Sequence, residues 1–120
     1  MRGSRVLLVD DHPGFRRAAV DFLTSGGCRV VATAGSGEEA LKVLADEAQR
    51  PDVVLLDFRL PGLDGVEVAE RIATLPDAPP VILISSYADA AADPRVRAAQ
   101  ARGFLHKQDL TCDAITALLG

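Results

Sequence analysis

Hydrophobic positions along this chain follow two rhythms that take turns. Val6-Leu7-Leu8-Val9, Val53-Val54-Leu55-Leu56 and Val81-Ile82-Leu83-Ile84 are unbroken apolar runs. They are short for helices and lack the polar alternation of a half-solvated strand, so each predicts a strand buried on both faces. Cys28 to Ala32 and a stretch from Phe104-Leu105 to Lys107 predict two weaker strands. Between them the apolar spacing turns helical. Phe15, Ala18, Ala19, Phe22 and Leu23 form one stripe, with Pro13 suited to the first turn and Gly26-Gly27 to the stop. Ser36-Gly37-Glu38-Glu39 reads as a capping box before a stripe of Ala40, Leu41, Leu44, Ala45 and Ala48. Asp64 and Glu67 cap a third helix, whose Val68, Ile72 and Leu75 face the core. Asp93-Pro94 reads as the cap and first residue of a short fourth helix, ending near Arg102 with a thin apolar face around Val96. Ile115, Leu118 and Leu119 mark a fifth.

Five strands alternating with five helices call for an α/β domain, a parallel sheet with helices on both faces. At 120 residues the chain holds one core. Its 48% hydrophobic content excludes a disordered tail, and no apolar run approaches a membrane span. The first apolar run is too short for a signal peptide and meets Asp10-Asp11 at once. Two cysteines are too few for a disulfide scaffold, so a cytoplasmic chain with reduced thiols is expected, with Cys28 and Cys112 as inert packing residues. A net charge of −4 argues against a surface that grips nucleic acid in this segment. Arg16 and Arg17 read as a solvated helix face, and His106 as a surface residue of the last strand.

The chemistry gathers where strands end. A strand buried on both faces has no solvated side for a carboxylate, so Asp57 is tolerated only at its terminus, as Pro61-Gly62 soon afterwards implies. In open parallel sheets ligands bind beyond the carboxyl ends of the strands. Asp10, Asp11, Asp57, Ser85 and Lys107 all fall at or just past such an end. Three convergent carboxylates repel one another unless a cation joins them. Hard oxygen ligands open to water suit Mg²⁺ better than zinc, and His12 beside the acid pair is not expected to be a ligand because Mg²⁺ does not favour imidazole. Metal, ammonium and hydroxyl together match the oxygens of a phosphoryl group, with the central aspartate as nucleophile. Singly, an Asp-Asp pair is more often a cap and a lysine more often solvated; the convergence gives them weight. Gly62 and Gly65 serve a turn, since no Walker or dinucleotide fingerprint is present.

These residues carry a family resemblance. Val9-Asp10-Asp11, Asp57-Phe58-Arg59-Leu60-Pro61-Gly62-Leu63-Asp64-Gly65, Ile84-Ser85-Ser86 and Gly103-Phe104-Leu105-His106-Lys107 resemble the signature stretches of the receiver domain of two-component response regulators. The resemblance covers residues 1–120, with no output domain in this chain. Asp-His-Pro after the first strand is most similar to the subfamily with a helix-turn-helix output domain. The resemblance implies a flavodoxin-like fold with strand order 2-1-3-4-5, an order the alternation alone does not fix. It implies that Asp57 accepts a phosphoryl group from a sensor histidine kinase. Asp11, Asp57 and the Arg59 backbone carbonyl would ligate Mg²⁺, and Asp10 would act mainly through water on the metal. Lys107 would pair with the phosphate, and Ser85 and Phe104 would be the switch pair. Arg59 and Tyr87 would tune the phosphoryl lifetime. The face carrying the fourth helix would serve a homodimer or an output-domain contact.

Phe104 stands where many relatives have tyrosine, Gln108 where many have proline, and Pro94 shortens the fourth helix. The expected function is a signalling switch with self-phosphorylation and autodephosphorylation only, directed at an output domain or partner and through it at transcription. An interaction-only pseudo-receiver is the alternative. A small phosphohydrolase would want a second aspartate where Arg59 sits. A flavin carrier would want phosphate-binding loops where Asp11-His12-Pro13 sits.

Overall fold

Apolar runs without a solvated side need cover on both faces, and the chain supplies it by laying helices on both sides of one sheet. The structure, a computed structural model, describes residues 4–46, 48, 50–87, 93–98 and 101–120. The elements are β1 (Arg5–Val9), α1 (Pro13–Ser25), β2 (Arg29–Ala34), α2 (Gly37–Ala45), β3 (Val53–Asp57), α3 (Gly65–Ala73), β4 (Val81–Ser85), α4 (Pro94–Ala98), β5 (Gly103–His106) and α5 (Cys112–Leu119). All strand pairs are parallel, in the order β2-β1-β3-β4-β5. Every residue of β3 and β4 is buried, as two-sided runs require. Period-2 geometry sorts them. Leu7, Val9, Val54, Leu56 and Leu83 pack with α2 and α3; Val6, Leu8, Val53, Leu55, Ile82 and Ile84 pack with α1 and α5. Each such side chain withdrawn from water contributes roughly 1.5–3 kcal/mol before entropy is counted.

Differences from the sequence reading have local causes. β2 starts after Cys28 and continues to Ala34, because β1 carries the pairing onward: Leu8 faces Thr33, Val9 faces Ala34, and the Asp10 N–H donates to the Ala34 carbonyl at 3.0 Å. The stripe of α1 is narrower than expected, with Ala18 exposed and Phe22 40% exposed. α2 stops at Ala45, where Asp46 leaves helical geometry. Ala48 therefore lies beyond it and is exposed, while 47 and 49 fall outside the described residues. α4 is short, as Pro94 implies, but it is described only to Ala98; residues 99 and 100 are outside the description, and 101–102 are not helical. β5 opens at Gly103, one residue before the apolar Phe104-Leu105 pair.

Caps hold the helix starts. Ser36 Oγ accepts from the Glu39 N–H at 3.2 Å and Asp64 Oδ1 from the Glu67 N–H at 3.0 Å. Thr111, a cap that the apolar spacing does not reveal, does the same for α5 through the Ala114 N–H at 3.0 Å. Glycine is required at two places near the end of β3. Gly62 sits at φ +72°, in the left-handed region. A Cβ at Gly65 would collide with the Asp57 carbonyl and the Phe58 backbone, so only glycine lets α3 begin against the strand that carries Asp57. α4 is pinned to this same corner: an Arg95 guanidinium nitrogen lies 2.7 Å from Asp64 Oδ2, and the group sits 5.4 Å from the Phe58 ring centre.

Candidate functional site

The order 2-1-3-4-5 reverses direction between β1 and β3, which opens a crevice beyond their carboxyl ends. Asp10 and Asp11 follow β1, Asp57 ends β3 and Lys107 follows β5 in a short 3₁₀ turn. A cleft of about 380 Å³ there is lined by Asp11, Asp57, Arg59 and Lys107, with Ser86 and Tyr87 on the rim after β4. Asp57 is 3% exposed and forms part of the cleft wall: sunk in protein, yet reached from the opening.

Lys107 binds the acids together. Its Nζ lies 2.5 Å from Asp10 Oδ2 and 3.2 Å from Asp57 Oδ2. The Phe15 ring centre, 4.4 Å from Nζ, gives the ammonium an aromatic face as well. Burial pulls the Lys107 ammonium down, but Asp10 and Asp57 outweigh that and hold its pKa above the ordinary lysine value. For Asp57 the balance goes the other way. Burial pushes its carboxyl from 3.8 up to about 6 and Asp10 adds repulsion, while the Arg59 N–H, donating to Asp57 Oδ1 at 3.0 Å, and Lys107 pull it back only in part. One ammonium does not satisfy three carboxylates.

What remains unsatisfied fits a hard cation. Asp10 Oδ2 and Asp11 Oδ1 are shut off from solvent and have no aligned hydrogen-bond partner, though Asp10 Oδ2 has the Lys107 charge beside it. Ligand atoms from Asp10, Asp11, His12 and Asp57 all lie within 4.8 Å of one another. Oxygens of three aspartates suit Mg²⁺. The exposed His12 ring instead partners the acids, with Nδ1 3.2 Å from both Asp10 Oδ1 and Asp11 Oδ1, and its backbone N–H donates to Asp10 Oδ1 at 2.8 Å.

The two residues expected to switch are placed apart from the cleft lining. Ser85 is 1% exposed, and its Oγ accepts from the Tyr87 N–H at 3.0 Å; Ser86, not Ser85, lines the cleft. Phe104 is half-buried against the cluster of Phe58 and Val66, on which Val96 also packs, and its ring meets that of His106 edge-on at 5.3 Å. His106 is thus half-buried rather than a plain surface residue. The Arg59 guanidinium stacks on the Tyr87 ring at 4.5 Å, across the cleft rim.

Sequence reasoning misses three supports. Arg16, solvated on a helical reading, reaches back to the Asp10 carbonyl at 2.5 Å and fixes the turn bearing the acid pair. Phe15 belongs by spacing to the core stripe, and nothing in the sequence reports its place beneath Lys107. Cys28 and Cys112, expected as inert packing residues, meet around one carbonyl oxygen: Leu23 O accepts the Cys28 N–H at 3.0 Å and Cys112 Sγ at 3.1 Å.

The Asp57 carboxyl gives a signed pH dependence. An acid whose pKa rises on folding favours the folded state below its unfolded value near 4, and loses that advantage as pH rises through about 6. Two pK units correspond to roughly 3 kcal/mol. Asp57→Asn keeps the acceptor for the Arg59 N–H and does not titrate. In metal-free buffer its stability relative to wild type should therefore grow between pH 4 and 7, by up to roughly 3 kcal/mol in denaturant melts. A gap that does not change with pH would contradict the assignment.

With this geometry in place, comparison with known proteins is direct. The sequence matches the family described as the response regulator receiver domain over residues 6–118. A transcriptional regulatory protein, NarL of Mycobacterium tuberculosis, is 38% identical over 116 residues, which cover 96% of this chain and 53% of that relative. A protein-glutamate methylesterase/protein-glutamine glutaminase of Hahella chejuensis is 39% identical over 82 residues, 68% of this chain and 23% of its own length. The chain thus spans about half or less of these relatives. Among solved structures, the signal receiver domain of NarL from Mycobacterium tuberculosis superposes with TM-score 0.82 at 36% identity, covering 100% of this chain and 99% of that one. TrrA from Thermotoga maritima, in complex with Mg²⁺-BeF, superposes with TM-score 0.76 at 31% identity, covering 99% and 96%. Sequence match, strand order and acidic crevice agree, and this chain belongs to the response regulator receiver domain family.

Proposed function

We propose that this chain is a phosphoacceptor switch: Asp57 takes a phosphoryl group from a sensor histidine kinase in a Mg²⁺-dependent reaction, in the cytoplasm. The observation that carries the reading is the Lys107 ammonium, 3.2 Å from an Asp57 oxygen at the carboxyl end of β3, beside two buried carboxylate oxygens, Asp10 Oδ2 and Asp11 Oδ1, that have no aligned hydrogen-bond donor. A carboxylate oxygen of Asp57 attacks phosphorus; an O–P bond forms as the P–N bond to the kinase histidine breaks. Asp11, Asp57 and the Arg59 carbonyl would hold the metal, with Asp10 beside them. When bound, Mg²⁺ supplies positive charge to the phosphoryl oxygens. Lys107 contributes the second positive charge, and the Arg59 N–H orients the carboxylate. The Mg²⁺-BeF complex of TrrA supports this reading by analogy.

The added charge then acts on packing. Ser85 gives up the Tyr87 N–H and turns toward the phosphoryl oxygens, and Phe104 shifts inward behind it from its present packing on Phe58 and Val66. Ring packing must suffice, since Phe104 has no hydroxyl. The short α4 face would pass the change to an output domain or partner outside these residues, or to a second copy, and the resemblance to NarL favours an output in transcription. The only catalysis belonging to the chain is its own phosphorylation and dephosphorylation. Among the described residues no helix is long and apolar enough to cross a membrane.

Incubation with acetyl phosphate and Mg²⁺ should add one phosphoryl group by intact mass, and none in Asp57→Asn. No adduct on the wild type would favour the interaction-only alternative. The Arg59–Tyr87 stack lies where hydrolytic water must enter, so Arg59→Ala and Tyr87→Ala should each change the adduct's lifetime several-fold in a dephosphorylation time course. Lifetimes equal to wild type in both would remove the stack from the mechanism.

A further inference from the structure

Away from the acidic crevice, the α1/α5 side of the sheet brings together the chain's two cysteines, 84 positions apart in sequence. Cys28 lies just before β2, after the Gly26-Gly27 turn; Cys112 is the first residue of α5. Both hang on the Leu23 carbonyl, at 3.0 Å through the Cys28 N–H and 3.1 Å through Cys112 Sγ. Cys112 packs against the apolar cluster that contains the buried Cys28, the two thiols lie within hydrogen-bonding reach of each other, and Gly26 leaves room for the Cys112 sulfur, since a Cβ there would come within 3.2 Å of it. Neither residue lines the acidic cleft.

We propose that Cys28 and Cys112 are a modification site: a vicinal thiol pair that hydrogen peroxide converts to an intramolecular disulfide, tying the start of α5 to the turn before β2. The two thiols are not equivalent. Cys28 is 5% exposed, and burial, then the neighbouring Cys112 thiol, push it up to about 12, so it does not meet the oxidant first. Cys112 is half-buried, the more accessible of the two, and does. Its sulfur attacks peroxide: an S–O bond forms, the O–O bond breaks and the departing hydroxide takes the thiol proton as water. Cys28 then attacks the sulfenic sulfur. The S–S bond forms, the S–O bond breaks, and a second water leaves with the Cys28 proton. Both thiols are oxidised and one peroxide is reduced to two waters. The bond would fix α5 against the end of α1, and α5 follows directly from the turn that carries Lys107.

The test uses the full chain and does not depend on phosphorylation. After treatment with hydrogen peroxide, intact mass should fall by two hydrogens, and digestion under non-reducing conditions should yield one peptide pair joined through Cys28 and Cys112, released by dithiothreitol. In Cys28→Ser, Cys112 should stop as a sulfenic acid that dimedone traps; in Cys112→Ser, Cys28 should stay reduced. A wild-type chain that accumulates dimedone-reactive or over-oxidised Cys112 without the linked peptide overturns the proposal, as does a disulfide formed only between two chains. The wild-type arm needs no substitution and decides the matter even where a variant fails to fold.

Discussion

A single ammonium group sits where three carboxylates converge, and the rest of the molecule exists to hold that imbalance in place. Lys107 touches Asp10 at 2.5 Å and Asp57 at 3.2 Å, yet one buried oxygen each of Asp10 and Asp11 stays without an aligned donor. An uncompensated buried carboxylate is costly, and the raised pKa of Asp57 expresses that cost. Surplus negative charge, hard oxygen donors and one fixed cation make a donor set of the kind a divalent metal takes.

The fold delivers this by topology. β1 and β3 are neighbours whose following loops depart in different directions, so acids from residues 10, 11 and 57 meet without any local sequence contact. Fully buried strands hold them rigidly, because a shift of one residue along a two-sided strand would move every side chain to the opposite layer. Gly65 lets α3 start directly against the Asp57 backbone, and Arg95 clamps α4 onto Asp64 and Phe58. The strand that ends in Asp57 is thereby coupled through the next residue, Phe58, to the cluster that contains Phe104. A charge placed on Asp57 acts on a neighbourhood already packed against the α4 face.

Much of this is written along the chain. Strands buried on both faces leave unbroken apolar runs, so β1, β3 and β4 and the polar residues at their ends stand out. Caps at Ser36 and Asp64 do as well, since their partners lie three residues away. Contacts made only through the tertiary structure do not. Arg16 reaching the Asp10 carbonyl, Phe15 beneath Lys107 and Cys112 against Cys28 join elements with no periodic relation, and each side chain also has an ordinary helical reading. The extension of β2 through Thr33 and Ala34 is hidden for a similar reason: pairing with β1, not composition, makes it a strand.

The central claim is that unmatched acids around Lys107 await a hard cation. Its most direct measurement is a thermal melt of the unphosphorylated chain across a Mg²⁺ titration, with Asp11→Asn alongside. A ligand that binds only the folded state raises the melting temperature with its concentration. The account predicts a rise that continues as Mg²⁺ exceeds its dissociation constant, and a much weaker one in Asp11→Asn. A wild-type melting temperature that stays flat through millimolar Mg²⁺ would contradict it.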